Sequence, residues 1–272
     1  MTIKLIASDM DGTFLDAKGS YDRDRFEKIL DALDKRQIPF VVATGNSMPR
    51  LEHMFGDLVP RLSFVAENGA YVIDKQEVLV RQVMTPDMVA DFLTFFKGKE
   101  IDYTITLLGD GDIYLLDDTV FPTFDGIEPE QLELFRERMR FVSDWSEIEG
   151  KEIYKMNLVV PENISDKVTT DFNHAFKGRL QAVGSGYGAI DVIIEGCHKA
   201  WGLEQLLERY GILPEEVMSF GDSDNDLEML KHTGESYAMA NASDRIKAVA
   251  KHIAPNHNDA GVLTTIEHFL WG

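Results

Sequence analysis

Two kinds of patterning divide this chain of 272 residues, and that division limits its fold more than any other feature. From Ile3 to Val80, and again after Gly196, short apolar runs alternate with stretches of helical spacing. Residues 3–8, 39–43, 62–66 and 216–220 read as buried strands. Between the first two, residues 22–37 carry Phe26, Ile29, Leu30 and Leu33 on one helical face. Strands separated by helices imply right-handed βαβ units and a parallel sheet, here with a hairpin over 71–74 and 77–80. From Thr85-Pro86 the order changes. A helix from Pro86 to about Lys97 precedes strands at 103–108 and 113–117, a helix at 129–140, a strand at 154–160, a helix at 164–176, and strands at 180–183 and 189–194. This αββαβαββ order is an α+β layer. The expected fold is therefore an α/β, Rossmann-like parallel-sheet core, residues 1–83 plus 189–272, interrupted by an inserted domain at 84–188.

Four loops of the core carry chemistry: 9–13, 44–46, 198–199 and 221–226. Each falls at a strand end or a helix start, and the C-terminal edge of a parallel sheet gathers such loops into one crevice. In the first loop Asp9 and Asp11 stand one residue apart. Such a pair can hold a divalent cation, or one carboxylate can attack while the other handles a proton; it equally suits an ordinary acidic turn. Among their side chains are the carboxylates of Asp9, Asp11, Asp222 and Asp226, a hydroxyl, a lysine and an amide. That set suits Mg²⁺, which takes carboxylate and substrate oxygens, and a phosphate, which needs cationic and N–H donors. Lys199 opens a helix, where a cation opposes the macrodipole, so it calls for an anionic partner. His198 suits either a substrate contact or a structural place. Asp224 reads as a first-turn acid, and Glu67-Asn68-Gly69 as a turn beneath the site.

Composition closes off other classes. The net charge of −20 argues against a nucleic-acid partner and against polybasic docking on anionic membranes. No apolar run approaches the about 20 residues that span a bilayer. Asp9 and Asp11 interrupt any signal-like N-terminus. A single cysteine, Cys197, excludes an internal disulfide and a Cys-rich zinc site and is expected to pack in the interior. A cytoplasmic location follows as the expectation; the oligomeric state stays open.

Asp9-Met10-Asp11-Gly12-Thr13, Thr44-Gly45-Asn46, Lys199 and Gly221-Asp222-x-x-Asn225-Asp226 resemble, in order and spacing, the four motifs of the haloacid dehalogenase superfamily. The inserted αββαβαββ segment resembles the C2B cap of its Cof-type, subfamily IIB phosphatases. Segments such as FVVATGN and SFGDSDNDLEML look closest to bacterial sugar phosphatases. The resemblance implies a phosphomonoesterase acting on small phosphates, sugar phosphates above all. Asp9 would be the nucleophile that forms an aspartyl-phosphate, and Asp11 the acid and then the base. Asp9 and Asp222 would bind Mg²⁺ by side chain and Asp11 by its backbone carbonyl. Thr44, the Gly45 amide, Lys199 and Asn225 would hold phosphate, and Asp226 would back Lys199 or a water of the metal. A phosphate dianion with Asp9 and Asp222 against Mg²⁺ and Lys199 leaves the cluster near −1 when Asp11 is protonated, and neighbouring negative charge favours that protonation.

Two other functions fit the same residues: a phosphotransferase or mutase using the same phosphoenzyme, and a non-catalytic phospholigand sensor. The intact Asp9–Asp11 pair argues against the sensor. The insert is expected to act as a lid on linkers near 84–86 and 188–190, with Tyr187 as a candidate substrate contact or a structural wedge.

Overall fold

The computed structural model describes residues 2–99, 103–109, 111–119, 136–186 and 188–272. Among these the strands are β1 (Leu5–Ser8), β2 (Phe40–Ala43), β3 (Ser63–Ala66), β4 (Tyr71–Asp74), β5 (Glu77–Arg81), β6 (Thr104–Gly109), β7 (Asp112–Leu116), β8 (Met139–Val142), β9 (Lys155–Val159), β10 (Leu180–Gly186), β11 (Ala189–Ile194), β12 (Val217–Gly221), β13 (Glu235–Met239) and β14 (His252–Ala254). The helices are α1 (Arg23–Lys35), α2 (Met48–Phe55), α3 (Pro86–Phe96), α4 (Glu162–Ala175), α5 (Lys199–Tyr210), α6 (Leu227–His232), α7 (Asp244–Lys247) and α8 (Gly261–Trp271). They divide into two compact units. One holds the chain up to Asn46 with Leu51–Arg81 and His198–Gly272; the other holds Ser47–Arg50 and Gln82–Cys197. No described helix is long and apolar enough to cross a membrane.

The first unit is built on one sheet, ordered β14-β13-β12-β1-β2-β3-β4-β5. It is parallel from β14 to β3 and ends in an antiparallel hairpin. β1, β2, β3 and β12 are buried along their whole length, as their unbroken apolar runs require of strands covered on both faces. On one face Leu5, Ala7, Val41, Ala43 and Val65 pack with Leu203, Leu206 and Leu207 of α5. On the other, Phe40 meets Phe26 of α1 with ring centroids 5.0 Å apart, beside Phe14 and Phe55. α1 forms where its apolar stripe predicts, capped by the Asp22 side chain, which accepts from the Arg25 N–H. Register then places the chemistry. Ser8 lies level with Phe220 on one side and Val42 on the other, so Asp9, Thr44 and Asp222 all emerge at one edge.

The second unit has a sheet ordered β10-β11-β9-β6-β7-β8, antiparallel except for the β7–β8 pair. Leu107, Met156, Leu158, Ile190 and Val192 pack with Phe92 and Phe96 of α3 and Phe172 of α4. Thr85 caps α3 and Pro86 opens it, as the sequence predicts.

Two expectations change here. The helix expected at 129–140 lies mostly outside the described residues, and its end is a strand: Met139–Val142 runs parallel to β7, a short edge strand whose Arg140 and Phe141 are exposed. Four residues are too few to show the alternation that marks a strand. The boundary expected at 189 also moves. β11 pairs with β10 and β9, because the Gly-rich turn makes β10 and β11 a hairpin, and the unit continues to Cys197. Residues 188–190 thus lie inside a hairpin and are not a linker. Tyr187 lies outside the described residues.

Candidate active site

Asp9 leaves β1 almost buried, its backbone N–H donating to the Phe220 carbonyl at 3.1 Å. The chain then turns over Met10–Phe14, closed by the Leu15 N–H on the Met10 carbonyl at 2.9 Å. Gly12 is required in this turn. Its φ is +79°, and a Cβ would stand 2.5 Å from Asp222 Oδ2. That close approach lets Thr13 donate its hydroxyl to Asp222 Oδ1 at 2.8 Å, joining the first loop to the fourth.

Lys199 opens α5 fully buried, and its Nζ donates to Asp9 Oδ1 at 2.6 Å and to Asp226 Oδ1 at 2.7 Å. The anionic partner that its helix-start position demands is thus a pair of carboxylates. Asp226 Oδ2 accepts from the backbone N–H groups of Asp222 and Ser223, at 3.0 and 3.1 Å. With both oxygens engaged, Asp226 sits behind Lys199. His198 is structural: its Nδ1 caps α5 by accepting from the Trp201 N–H at 3.2 Å. Cys197 is buried, and burial pushes its thiol up to about 12.

The electrostatics are lopsided. One ammonium faces three carboxylates, those of Asp9, Asp222 and Asp226, with ligand oxygens all within 4.8 Å of one another. Three negative charges against one positive leave −2 in a largely buried cluster. Burial, with the Asp226 charge adding to it, pushes the Asp9 carboxyl well above its ordinary value despite the pull of Lys199. The same two causes raise Asp222 to about 6. Burial alone would lower Lys199, but the Asp226 and Asp9 charges outweigh it and hold the ammonium. Asp9 Oδ2 and Asp222 Oδ2 have no hydrogen-bond partner among the described residues. A hard divalent cation fits this donor set: unengaged carboxylate oxygens carrying excess negative charge.

The remaining loops surround this cluster with polar groups. Asp11 is exposed, and Asn46 Nδ2 donates to its Oδ2 at 2.6 Å. Thr44 is buried, and its hydroxyl accepts from the Asn46 N–H at 3.1 Å and Nδ2 at 3.0 Å, which leaves the hydroxyl proton to donate. Gly45 lies between the two. Asn225 is half-buried, with Oδ1 accepting from Ser223 Oγ at 2.7 Å and Nδ2 donating to Asn68 Oδ1 at 3.1 Å. Asp224 turns away to pair with Arg245 at 2.8 Å. Asp9, Asp11, Thr44, Gly45, Lys199, Asp222, Asn225 and Asp226 therefore all belong to the first unit. Sequence reasoning names Thr13 and Asn46 only as members of their motifs and Asn68 only as part of a turn beneath the site; it assigns no contact to their side chains. Thr13 and Asn46 carry a readable signal in their places within the first two loops.

The chain matches the haloacid dehalogenase-like hydrolase family over residues 6–266. A 5-amino-6-(5-phospho-D-ribitylamino)uracil phosphatase of Escherichia coli (strain K12) is 34% identical over 270 residues, covering 99% of this chain and 97% of its own. The 5-amino-6-(5-phospho-D-ribitylamino)uracil phosphatase of Bacillus subtilis (strain 168) is 28% identical over 269 residues, covering 98% of this chain and 96% of its own. A crystal structure from Streptococcus mutans UA159 superposes with a TM-score of 0.89 at 36% identity, covering 100% of both chains. With a whole-chain family match and full-length relatives that are phosphatases, the chain belongs to the haloacid dehalogenase-like hydrolases and is a phosphatase of that superfamily.

Proposed function

We propose that this phosphatase hydrolyses phosphomonoesters of small polyols or sugars, with Mg²⁺ and through an aspartyl-phosphate on Asp9. The observation that carries the reading is the buried Asp9–Lys199–Asp226 chain beside Asp222. It offers a carboxylate at a strand end, fixed on one oxygen by a buried ammonium and unengaged on the other. In this reading one oxygen of the Asp9 carboxylate attacks phosphorus. The new P–O bond forms as the ester P–O bond breaks, and Asp11 gives its proton to the departing alcohol. Asp11 then takes a proton from water, which attacks the same phosphorus, frees inorganic phosphate and restores Asp9. Lys199 keeps Asp9 oriented. The Thr44 hydroxyl, the Gly45 N–H and the second amide N–H of Asn225 donate to phosphate oxygens. The Asp9 and Asp222 side chains with the Asp11 backbone carbonyl would hold Mg²⁺, which supplies the positive charge that lets a phosphate dianion approach a carboxylate.

The substrate class follows the relatives. Both named phosphatases act on a phosphoribityl compound, and a phosphate on a polyol or sugar chain is the proposed target here. The test is phosphate release with Mg²⁺ over a panel: 5-amino-6-(5-phospho-D-ribitylamino)uracil, sugar phosphates, nucleotides, pyridoxal phosphate and flavin mononucleotide. Highest kcat/KM on a polyol or sugar phosphate, unchanged by an added sugar acceptor, is the expected result. Phosphate recovered on the acceptor would make the enzyme a phosphotransferase, and preference for nucleotides would remove the proposed substrate class.

A further inference from the structure

Between β3 and β4 three consecutive residues hold positive φ: Glu67 at 50°, Asn68 at 56° and Gly69 at 111°. All three are buried. L side chains avoid this region, so a buried run of it is held in place by its surroundings. Gly69 has no alternative, since a Cβ there would meet the His198 carbonyl oxygen at 2.5 Å. The turn grips the site loops from behind. The Glu67 N–H donates to the Asn46 carbonyl at 3.1 Å, and the Asn68 N–H donates to the Thr44 carbonyl at 3.0 Å. The Asn68 side chain reaches a third loop, where its Oδ1 accepts from Asn225 Nδ2.

That last bond fixes the direction of a donor. The Asn225 amide is held at both ends, Oδ1 by the Ser223 hydroxyl at 2.7 Å and one N–H by Asn68 at 3.1 Å. An amide bonded at both ends cannot swing about its terminal torsion, which is otherwise broad. Its second N–H then has a single orientation. Glycine would satisfy the left-handed backbone at position 68 with less strain, and asparagine adds the acceptor that glycine lacks.

We propose that Asn68 is a positioning residue for the substrate's phosphate, acting through the Asn225 side chain. The inference rests on the reading of Asn225 as a phosphate donor, and adds that a turn outside the four chemical loops sets that donor's aim.

The experiment is a double-mutant cycle on Asn68→Gly and Asn225→Ala. The readouts are the inhibition constant for inorganic phosphate, kcat and KM on p-nitrophenyl phosphate, and the apparent Tm. Asn68→Gly keeps the positive φ and deletes the acceptor. It should raise the phosphate inhibition constant about tenfold, the scale of misdirecting one hydrogen bond to a charged group. In the Asn225→Ala background the same change should cost less than about twofold, because the donor it aims is gone. A merely structural role would cost as much in both backgrounds, and that result would overturn the proposal. So would an Asn68→Gly enzyme with a wild-type inhibition constant while Asn225→Ala raises it. Silence of Asn225→Ala on its own would show that the reading of Asn225 had failed, and the proposal would fall with it. Should Asn68→Gly not fold, Asn68→Asp retains shape and acceptor. Phosphate inhibition in that background should still depend on Asn225, and independence would refute the coupling.

Discussion

Removing the charge of Lys199 probes the buried cluster directly. Its ammonium is 0% exposed and bonds two carboxylates, at 2.6 and 2.7 Å. Lys199→Met preserves most of the side chain's volume and leaves Asp9 and Asp226 buried against each other with no cation. Breaking a buried ion pair from one side costs about 3–5 kcal/mol. For a chain of this size each kcal/mol moves Tm by about 2–4 °C, so the variant should melt about 6–20 °C below the wild type. The assay is thermal unfolding followed by circular dichroism, in chelator, near neutral pH and at about pH 5. The Asp9 carboxyl is already held above its usual 3.8 in the folded protein. A folded state that binds a proton more tightly than the unfolded state gains stability as pH falls through the folded value towards the unfolded one. Without the opposing pull of Lys199 that gain is larger, so the gap between variant and wild type should narrow on acidification. A loss under about 1 kcal/mol near neutral pH would refute the cost assigned to the buried pair. A gap of equal size at both pH values would refute the protonation argument.

Other expectations follow from the same geometry. Chelation should stop turnover and Mg²⁺ restore it, with Asp222→Ala needing more Mg²⁺; full activity in excess chelator would sink the metal assignment. Because Asp222 in the metal-free protein takes up its proton at about 6, the Mg²⁺ concentration giving half-maximal activity should climb as pH falls through that value. A requirement flat across that range would contradict Asp222 as a ligand. Asp11→Asn should slow alkyl phosphates far more than p-nitrophenyl phosphate, whose leaving group needs no proton; equal losses would remove Asp11 as the acid.

The core was readable because its signals are local. The apolar runs of β1, β2, β3 and β12 and the stripe of α1 each state their own element, and turn-forming glycine and aspartate mark the strand ends where Asp9, Thr44 and Asp222 emerge. The buried partner of Lys199 could be inferred from one helix start. What the sequence hid are pairings between distant positions. Thr13 meets Asp222 across 209 residues and Asn68 meets Asn225 across 157, and neither pair leaves a local trace. For Asp226 the resemblance left two places open, behind Lys199 or behind a water of the metal, and its contact with the Lys199 ammonium needed the packing. In the second unit β8 went unread because its four residues, with Arg140 and Phe141 exposed, are too few to show an alternating pattern. Residues 189–194 read as the last strand of the insert's order, which β11 is, but the expected domain boundary falls before it, because the Gly-rich turn looks like a linker until the pairing is known. The same unit buries Lys155 and Asp191 3.6 Å apart, with Asn157 donating to Asp191 at 3.0 Å, a polar group inside a stretch that reads as plain strand.

The claim that phosphate passes through Asp9 is open to direct observation. Enzyme quenched in acid during steady-state turnover, then digested and mapped by mass spectrometry, should carry a phosphoryl group on the peptide containing Asp9. Asp9→Asn should show no such adduct, and its kcat should fall by more than about a hundredfold while its fold is retained. A wild-type enzyme that turns over with Asp9 unmodified, or an Asp9→Asn enzyme keeping more than about a hundredth of kcat, would contradict covalent catalysis by Asp9.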